Sequence, residues 1–363
     1  QMHGRVIFIS HEWLCFSHPD PAGEQWDSLK RMLRRLAAGK VSVQHHWARQ
    51  MSHKSSQTLG AECLSALLPH CFFWLDFAGV PQACAVNSSA TNSDQRSESQ
   101  NSDHRFDSGS IAGEMTKAIN SIPAYVERSS LMIVLAPPCR HQDVSGRICS
   151  VGSWHRRGWC RVEALAAILA RTHVEIMVCL GPLADPFFLL SGMAAASQPP
   201  GMGDFTCCAR GHDINGQHVP CDKKALALVV ENMVAAAAAH RAEIGDLGGS
   251  RVLACGRHRW LRGLPSTKQE TLTAATQDIF TSFYHHLRWG PEDEKLAQSG
   301  CGSTLLHWAS FAGHAAVVSL LLERGSDNLE AIAPHGFPEF GICDGCRPLH
   351  FAVYGSADSH HIA

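Results

Sequence analysis

Four short apolar runs separated by helical patterns constrain this chain more than any other feature. Arg5-Val-Ile-Phe-Ile-Ser10, Cys71-Phe-Phe-Trp-Leu-Asp76, Leu131-Met-Ile-Val-Leu135 and Val174–Leu180 are continuously apolar rather than alternating, the pattern of strands buried on both faces. Over 24–36, Trp26, Leu29, Leu33 and Leu36 recur at helical spacing while Lys30, Arg31, Arg34 and Arg35 occupy the other faces. Residues 114–129 carry Met115, Ile119, Ile122 and Val126 on one face, with Pro123 expected to kink or divide the helix. A further helix is expected over 159–170. Strand–helix alternation of this kind predicts an α/β domain built on a parallel sheet. Its ligand crevice should lie at the carboxyl ends of the strands. Ser10, His11, Asp76 and the loop 136–157 all follow strand ends, so they are expected to converge.

Beyond these runs the chain changes character. Residues 84–112 are rich in Ser, Asn and Asp and nearly empty of apolar side chains, which predicts a disordered insertion. Residues 192–203 are rich in Gly, Pro, Ala and Ser and read as linker. Helices are expected over 224–243 and over 266–287, the latter opened by a Ser266/Gln269 capping box. The domain organisation that follows is an α/β domain over 1–182, a linker and helical connector over 183–300, and a separate segment over 301–363. With 31 Lys and Arg against 33 Asp and Glu, the net charge is only −2, so neither nucleic acid nor an anionic membrane is an expected partner. No apolar run reaches the roughly 18 residues needed to cross a bilayer, and the best candidate, 225–239, is interrupted by Glu231 and Asn232. The 15 cysteines are odd in number and irregularly spaced, and no signal-like stretch opens the sequence, so a reducing, cytoplasmic setting is expected. The chain starts at Gln1 and stops inside a repeat, which reads as a fragment.

Gly302-Ser-Thr-Leu-Leu-His307-Trp-Ala309 returns as Gly345-Cys-Arg-Pro-Leu-His350-Phe-Ala352, and Gly313–Leu322 supplies a second helix closed by Gly325. This resembles the ankyrin repeat, with its T-P-L-H-x-A turn and helix pair, so 301–363 is expected to form an α-solenoid segment. His307 and His350 are expected to be structural, tying each turn to its neighbour. Such repeats imply protein partners. Relative to the usual period, the intervening loop carries an insertion of about ten residues.

The first half resembles the Toll/interleukin receptor (TIR) domain family. The residues that carry the resemblance are Val6-Ile-Phe-Ile-Ser-His11, Phe73-Trp-Leu-Asp76, Ala118–Leu135, and Gly158-Trp159-Cys160-Arg-Val-Glu163, where the family often shows S-x-W-C-L-x-E-L. Arg161 and Ala164 depart from that pattern. The resemblance implies a parallel, flavodoxin-like sheet and self-association of TIR type. Some TIR domains cleave NAD with the Glu of that segment, which here is Glu163. A placed carboxylate can stabilise the oxocarbenium-like cation as neutral nicotinamide leaves, so no further cofactor is required. Ser10, His11, Trp13, Asp76 and Trp159 are the candidates for holding NAD. Two functions stay open: a signalling NAD hydrolase, and a non-enzymatic adaptor.

One more cluster carries ligand chemistry. Cys207-Cys208-x3-His212-x5-His218-x2-Cys221 gathers metal-type side chains within fifteen residues, of which Cys207, His212, His218 and Cys221 are the candidate ligands. The spacing does not match the common zinc modules, so a loop with incidental Cys and His is the favoured reading and zinc is not expected.

Overall fold

The four apolar runs of the N-terminal half become strands of one sheet. A computed structural model describes residues 5–45, 61–80, 117–172, 174–189, 198–214, 217–266, 279–325, 328–337 and 340–356. The insertion expected at 84–112, and all but the last part of the helix expected over 266–287, lie outside them. The chain divides into two compact units, residues 1–155 with 174–189 and residues 156–173 with 190–363. The helix Gly158–Leu169, which a boundary at 182 groups with the sheet, belongs to the second unit.

In the first unit the strands are β1 (Arg5–His11), β2 (Gln44–His45), β3 (Cys71–Leu75), β4 (Leu131–Leu135), β5 (Glu175–Cys179) and β6 (Phe187–Phe188), in the order β2-β6-β5-β4-β1-β3. β1 runs parallel to β3 and β4, and β4 parallel to β5. The two-residue β6 pairs antiparallel with β5 and parallel with β2. Successive strand residues point to opposite faces. Ile7, Ile9, Ile133, Leu135, Met177 and Cys179 therefore share one face, packed with Leu29, Met32 and Leu36 of the helix Glu24–Ala37. On the other face Phe8 stacks on Trp74, and Trp74 on Tyr125, at centroid distances of 4.5 and 5.1 Å. Tyr125 lies on the helix Ile122–Glu127, which is separated from the helical residues 117–120 by Ser121 and carries Pro123 in its first turn.

One expectation about the Glu24–Ala37 helix is corrected. Trp26 does not belong to its buried stripe and is 47% exposed, while Gln25, Leu29, Met32 and Leu36 are buried. These four follow i, i+4, i+7, i+11 and form a single helical face. A polar residue opens that face because its amide finds partners, described below.

The second unit is mostly helical. The helix Asp222–Glu243 packs on Leu247–Cys255 through buried Leu226, Ala227, Val230 and Val234. By length and composition it is apolar enough to cross a membrane; here its Glu231 is ion-paired with Arg257 at 2.5 Å. Arg251 organises the connector. Its guanidinium donates to both Asp293 carboxylate oxygens at 2.8 Å and to the carbonyls of Leu287 and Arg288. These bonds join Leu247–Cys255 to the helices Ile279–Leu287 and Pro291–Gln298. Burial alone would raise the Asp293 carboxyl, but Arg251 and the Gly290 N–H outweigh it and hold it below the usual range.

Beyond the connector, Leu305–Phe311 and Ala315–Glu323 form a helix pair and Pro348–Gly355 opens the next unit. His307 has no exposure. Its Nδ1 accepts from the Thr304 N–H at 3.0 Å, and its Nε2 lies 3.2 Å from the carbonyl oxygen of Cys346. It thus latches its own turn to the start of the following unit. The inserted loop folds back: Phe340 and Ile342 are buried, and Phe337 packs against Trp308.

The stretch expected to be linker at 192–203 is corrected over its described part, 198–203. A Cβ on Gly201 would come within 2.5 Å of the Arg262 carbonyl oxygen, and one on Gly203 within 2.6 Å of the Gly158 Cα. The backbone of 201–203 is wedged between other backbones, and the glycines exist for that approach. Gly201→Ala is therefore expected to cost the second unit roughly 1–3 kcal/mol through overpacking, read as a lower urea midpoint. An unchanged midpoint would show that the stretch is a loose linker after all.

Candidate functional site

At the carboxyl end of β1 the chain turns through His11, Glu12 and Trp13, and at the end of β3 it enters a short helical turn at Asp76. Parallel pairing of β1 with β3 sets these ends side by side. Asp76 Oδ1 lies 3.0 Å from His11 Nε2 and accepts from the Phe77 N–H at 2.6 Å; Oδ2 accepts from the Trp13 indole N–H at 2.8 Å. His11 Nδ1 faces the Gln25 Oε1 at 2.9 Å, and the Gln25 amide nitrogen donates to the Glu12 carbonyl at 2.9 Å. That second bond fixes which end of the amide faces His11. Both imidazole nitrogens thus lie within hydrogen-bond distance of side-chain oxygens. Glu12, 4% exposed, is ion-paired with Arg147.

Burial would raise the Asp76 carboxyl, yet the hydrogen bond and charge of His11, with the Trp13 and Phe77 donors, overcome it and hold the carboxyl below its ordinary range. At neutral pH it is an ionised clamp between two loops rather than a proton donor. Around it Trp13, His18 and Phe77 form an edge-packed aromatic group, from which Phe77 and neighbouring Phe16 are partly exposed.

The other residues singled out by sequence are divided between the two units. Ser10 is 1% exposed and accepts from the Trp154 indole at 2.8 Å, inside the first unit. Trp159 and Glu163 belong to the second unit. The Trp159 indole donates to Asp222 Oδ2 at 2.9 Å. Glu163 is 8% exposed on the helix Gly158–Leu169. Sequence reasoning missed Gln25, Glu12 and Arg147; the only signal for Gln25 was its place one residue past the start of an amphipathic helix.

In the second unit, ligand atoms of Cys207, Cys208, His212 and Cys221 lie within 4.8 Å of one another. Cys208 stands where the sequence reading placed His218, whose ring centroid is 6.3 Å from that of His212. Burial pushes the Cys207 thiol up to about 12. A shallow cleft in the same unit is lined by Arg251, Asp293, Trp308, His335 and Phe337 among others.

With this geometry in place, comparison with known protein families matches residues 301–332 to the ankyrin repeat. That segment is an ankyrin repeat, a module that generally mediates protein–protein interaction. No curated protein and no solved structure matches the chain.

Because the folded Asp76 carboxyl titrates below its unfolded value of about 3.9, its contribution to stability is fully present well above that pH. It is lost as the pH falls through the lower folded value. Asp76→Asn cannot titrate. The variant is expected to lose roughly 1–3 kcal/mol at neutral pH and to show a flatter decline of stability between about pH 5 and about pH 3. Urea unfolding across that range checks it; a slope equal to wild type would rule out Asp76 as an ionised clamp.

His307 gives a second pH signature of the same sign. Burial lowers it below its ordinary value, so the ring is neutral in the fold while the unfolded chain takes up a proton near pH 6.5. Stability of the repeat is expected to decline as the pH drops below about 6.5, read as faster amide exchange in 305–311. His307→Gln should reduce that pH dependence, and equal dependence in both proteins would contradict it.

Proposed function

We propose that this chain is a signalling scaffold, in which the ankyrin segment binds a protein partner and a TIR-like α/β domain supplies a second, self-associating surface. The observation that carries the reading is the ankyrin repeat at 301–332, continued by a helix whose apolar side chains face solvent. Leu349 and Val353, one turn apart on Pro348–Gly355, are 67% and 45% exposed. Repeats of this kind bury such faces against a neighbouring repeat or a partner.

The α/β half rests on two supports. Its four long strands lie in the order β3-β1-β4-β5, that of a flavodoxin-like sheet through its fourth strand, the sheet that the TIR resemblance implies. The loops after β1 and β3 are tied together by Asp76 and present Phe16 and Phe77 respectively, a partly apolar rim suited to contact. A second reading, NAD hydrolysis, rests on the TIR resemblance alone, through the place of Glu163 in the Trp-Cys-x-x-Glu segment.

Partner capture by proximity labelling with wild type and a Leu349→Asp/Val353→Asp variant tests the scaffold. Removing two central apolar anchors costs about 2 kcal/mol or more, roughly a thirtyfold loss of affinity. The exposed positions should leave the fold intact by circular dichroism. Nicotinamide release is followed in parallel, with NAD added to concentrated wild type and Glu163→Gln. Loss of labelled partners in the double variant, with no nicotinamide released, is the expected result. Release by wild type that Glu163→Gln abolishes, with labelling unchanged, would replace the scaffold with the hydrolase.

A further inference from the structure

Among the described residues of 203–221, ahead of the long helix Asp222–Glu243, secondary structure is sparse: one helical turn, Thr206–Ala209, and the antiparallel pairing of Asp213–Ile214 with Gln217–His218. The course of the segment is nonetheless sharply defined at one point. After the helical turn the chain reverses through two successive left-handed residues, Gly211 at φ 63° and His212 at φ 59°. Glycine adopts that region freely, but a side chain there is uncommon and costs energy. His212 is one of only two such non-glycine residues among those described. The reversal is closed by the Gly211 N–H on the Cys208 carbonyl and the His212 N–H on the Cys207 carbonyl, at 3.1 and 2.8 Å.

The effect is to turn the imidazole of His212 onto the thiols of Cys207 and Cys208. Cys221, immediately before the long helix, closes the group from the other side. The Sγ atoms of Cys207 and Cys208 are 3.9 Å apart, and those of Cys208 and Cys221 3.6 Å. With zinc–sulfur bonds of about 2.3 Å, tetrahedral geometry requires sulfurs about 3.8 Å apart. A disulfide requires about 2.05 Å. The separations match a shared cation rather than a bond between sulfurs. The buried Nε2 of His212 has no hydrogen-bond partner, which leaves a strong acceptor or donor uncompensated inside the protein. The Asp222 N–H lies 3.5 Å from the Cys207 sulfur, the kind of backbone contact that orients a ligating thiolate.

We infer that Cys207, Cys208, His212 and Cys221 form a structural zinc site of the Cys3His class. Three soft sulfurs and one imidazole are the donor set that zinc takes in closed tetrahedral sites. Coordination releases the thiol protons to solvent and involves no oxidant. The cation pins the 206–221 segment to the start of the Asp222–Glu243 helix, beside the bond from Trp159 to Asp222. His218, closer in sequence to Cys221, is not a ligand.

The test uses the full chain, purified with a thiol reductant and without added chelator. Metal content is read by mass spectrometry. Cobalt exchanged into the site is read by its thiolate charge-transfer and visible d–d bands. One zinc per chain is expected, with a tetrahedral cobalt spectrum. Cys208→Ser and His212→Ala should lose the metal from that level to near none, while His218→Ala retains it. Should a ligand variant fail to fold, wild type treated with chelator and then titrated with zinc gives the same reading, with one equivalent taken up. Folded, reduced wild type that takes up no zinc overturns the site, as does zinc kept by Cys208→Ser and His212→Ala. A Cys208–Cys221 disulfide in metal-free protein isolated without reductant, together with no zinc uptake after reduction, assigns the thiols to redox chemistry instead.

Discussion

A parallel sheet has no face it can leave bare, and that requirement governs the first unit. Each strand returns through a crossover, and side chains on both sides must be covered. Ile7 and Ile9 face the helix Glu24–Ala37, while Phe8, between them, stacks on Trp74 and through it meets Tyr125. The polar residues are left to the rim, where the strands end. There an ionised carboxylate fastens the loops beside the aromatic packing of Trp13, His18 and Phe77. Asp76 gathers His11, Trp13 and the Phe77 N–H, and Gln25 on the covering helix holds His11 from behind. Helix, loop and strand end are thereby joined through one network, in which each member satisfies another.

The second unit solves a different problem. Its helices are short or weakly amphipathic, and much of its definition comes from particular contacts rather than a broad apolar layer. Glycines let the backbone of 201–203 approach that of 262–264 and of 156–158. Arg251 is buried but fully engaged by a carboxylate and two carbonyls, which offsets the cost of removing a charge from water. His307 plays the corresponding part in the repeat, neutral and bonded at both nitrogens. The inserted loop before Arg347 adds Phe337, Phe340 and Ile342 to the same interior. Ankyrin recognition surfaces depend on such internal ties, because the outer faces are left for partners.

Much of the local architecture was legible along the chain. Continuous apolar runs located β1, β3, β4 and β5 to within a residue or two, and the turn pattern around His307 identified the repeat. Gln25 and Trp26 show where legibility stopped. Periodicity ranks positions by polarity, so it assigned the tryptophan inward and passed over the glutamine. Burial reversed them because the glutamine amide has partners on His11 and Glu12, and a satisfied polar group is cheap to bury. Composition misread 198–203 in the same way, since glycines that permit loose loops also permit tight contact.

The sequence by itself determined the four main strands, the helices over 24–37 and 224–243, that the C-terminal segment carries an ankyrin repeat, and that the charge balance is nearly even. These are properties of neighbouring residues, set by apolar periodicity and turn chemistry. Only the tertiary structure decided that His11 meets Asp76 across 65 residues, that Trp159 bonds Asp222 across 63, and that Cys208 rather than His218 joins Cys207, His212 and Cys221. Such meetings depend on strand register and on a chain reversal at Gly211 and His212, and distance between atoms far apart along the chain follows from packing rather than from spacing.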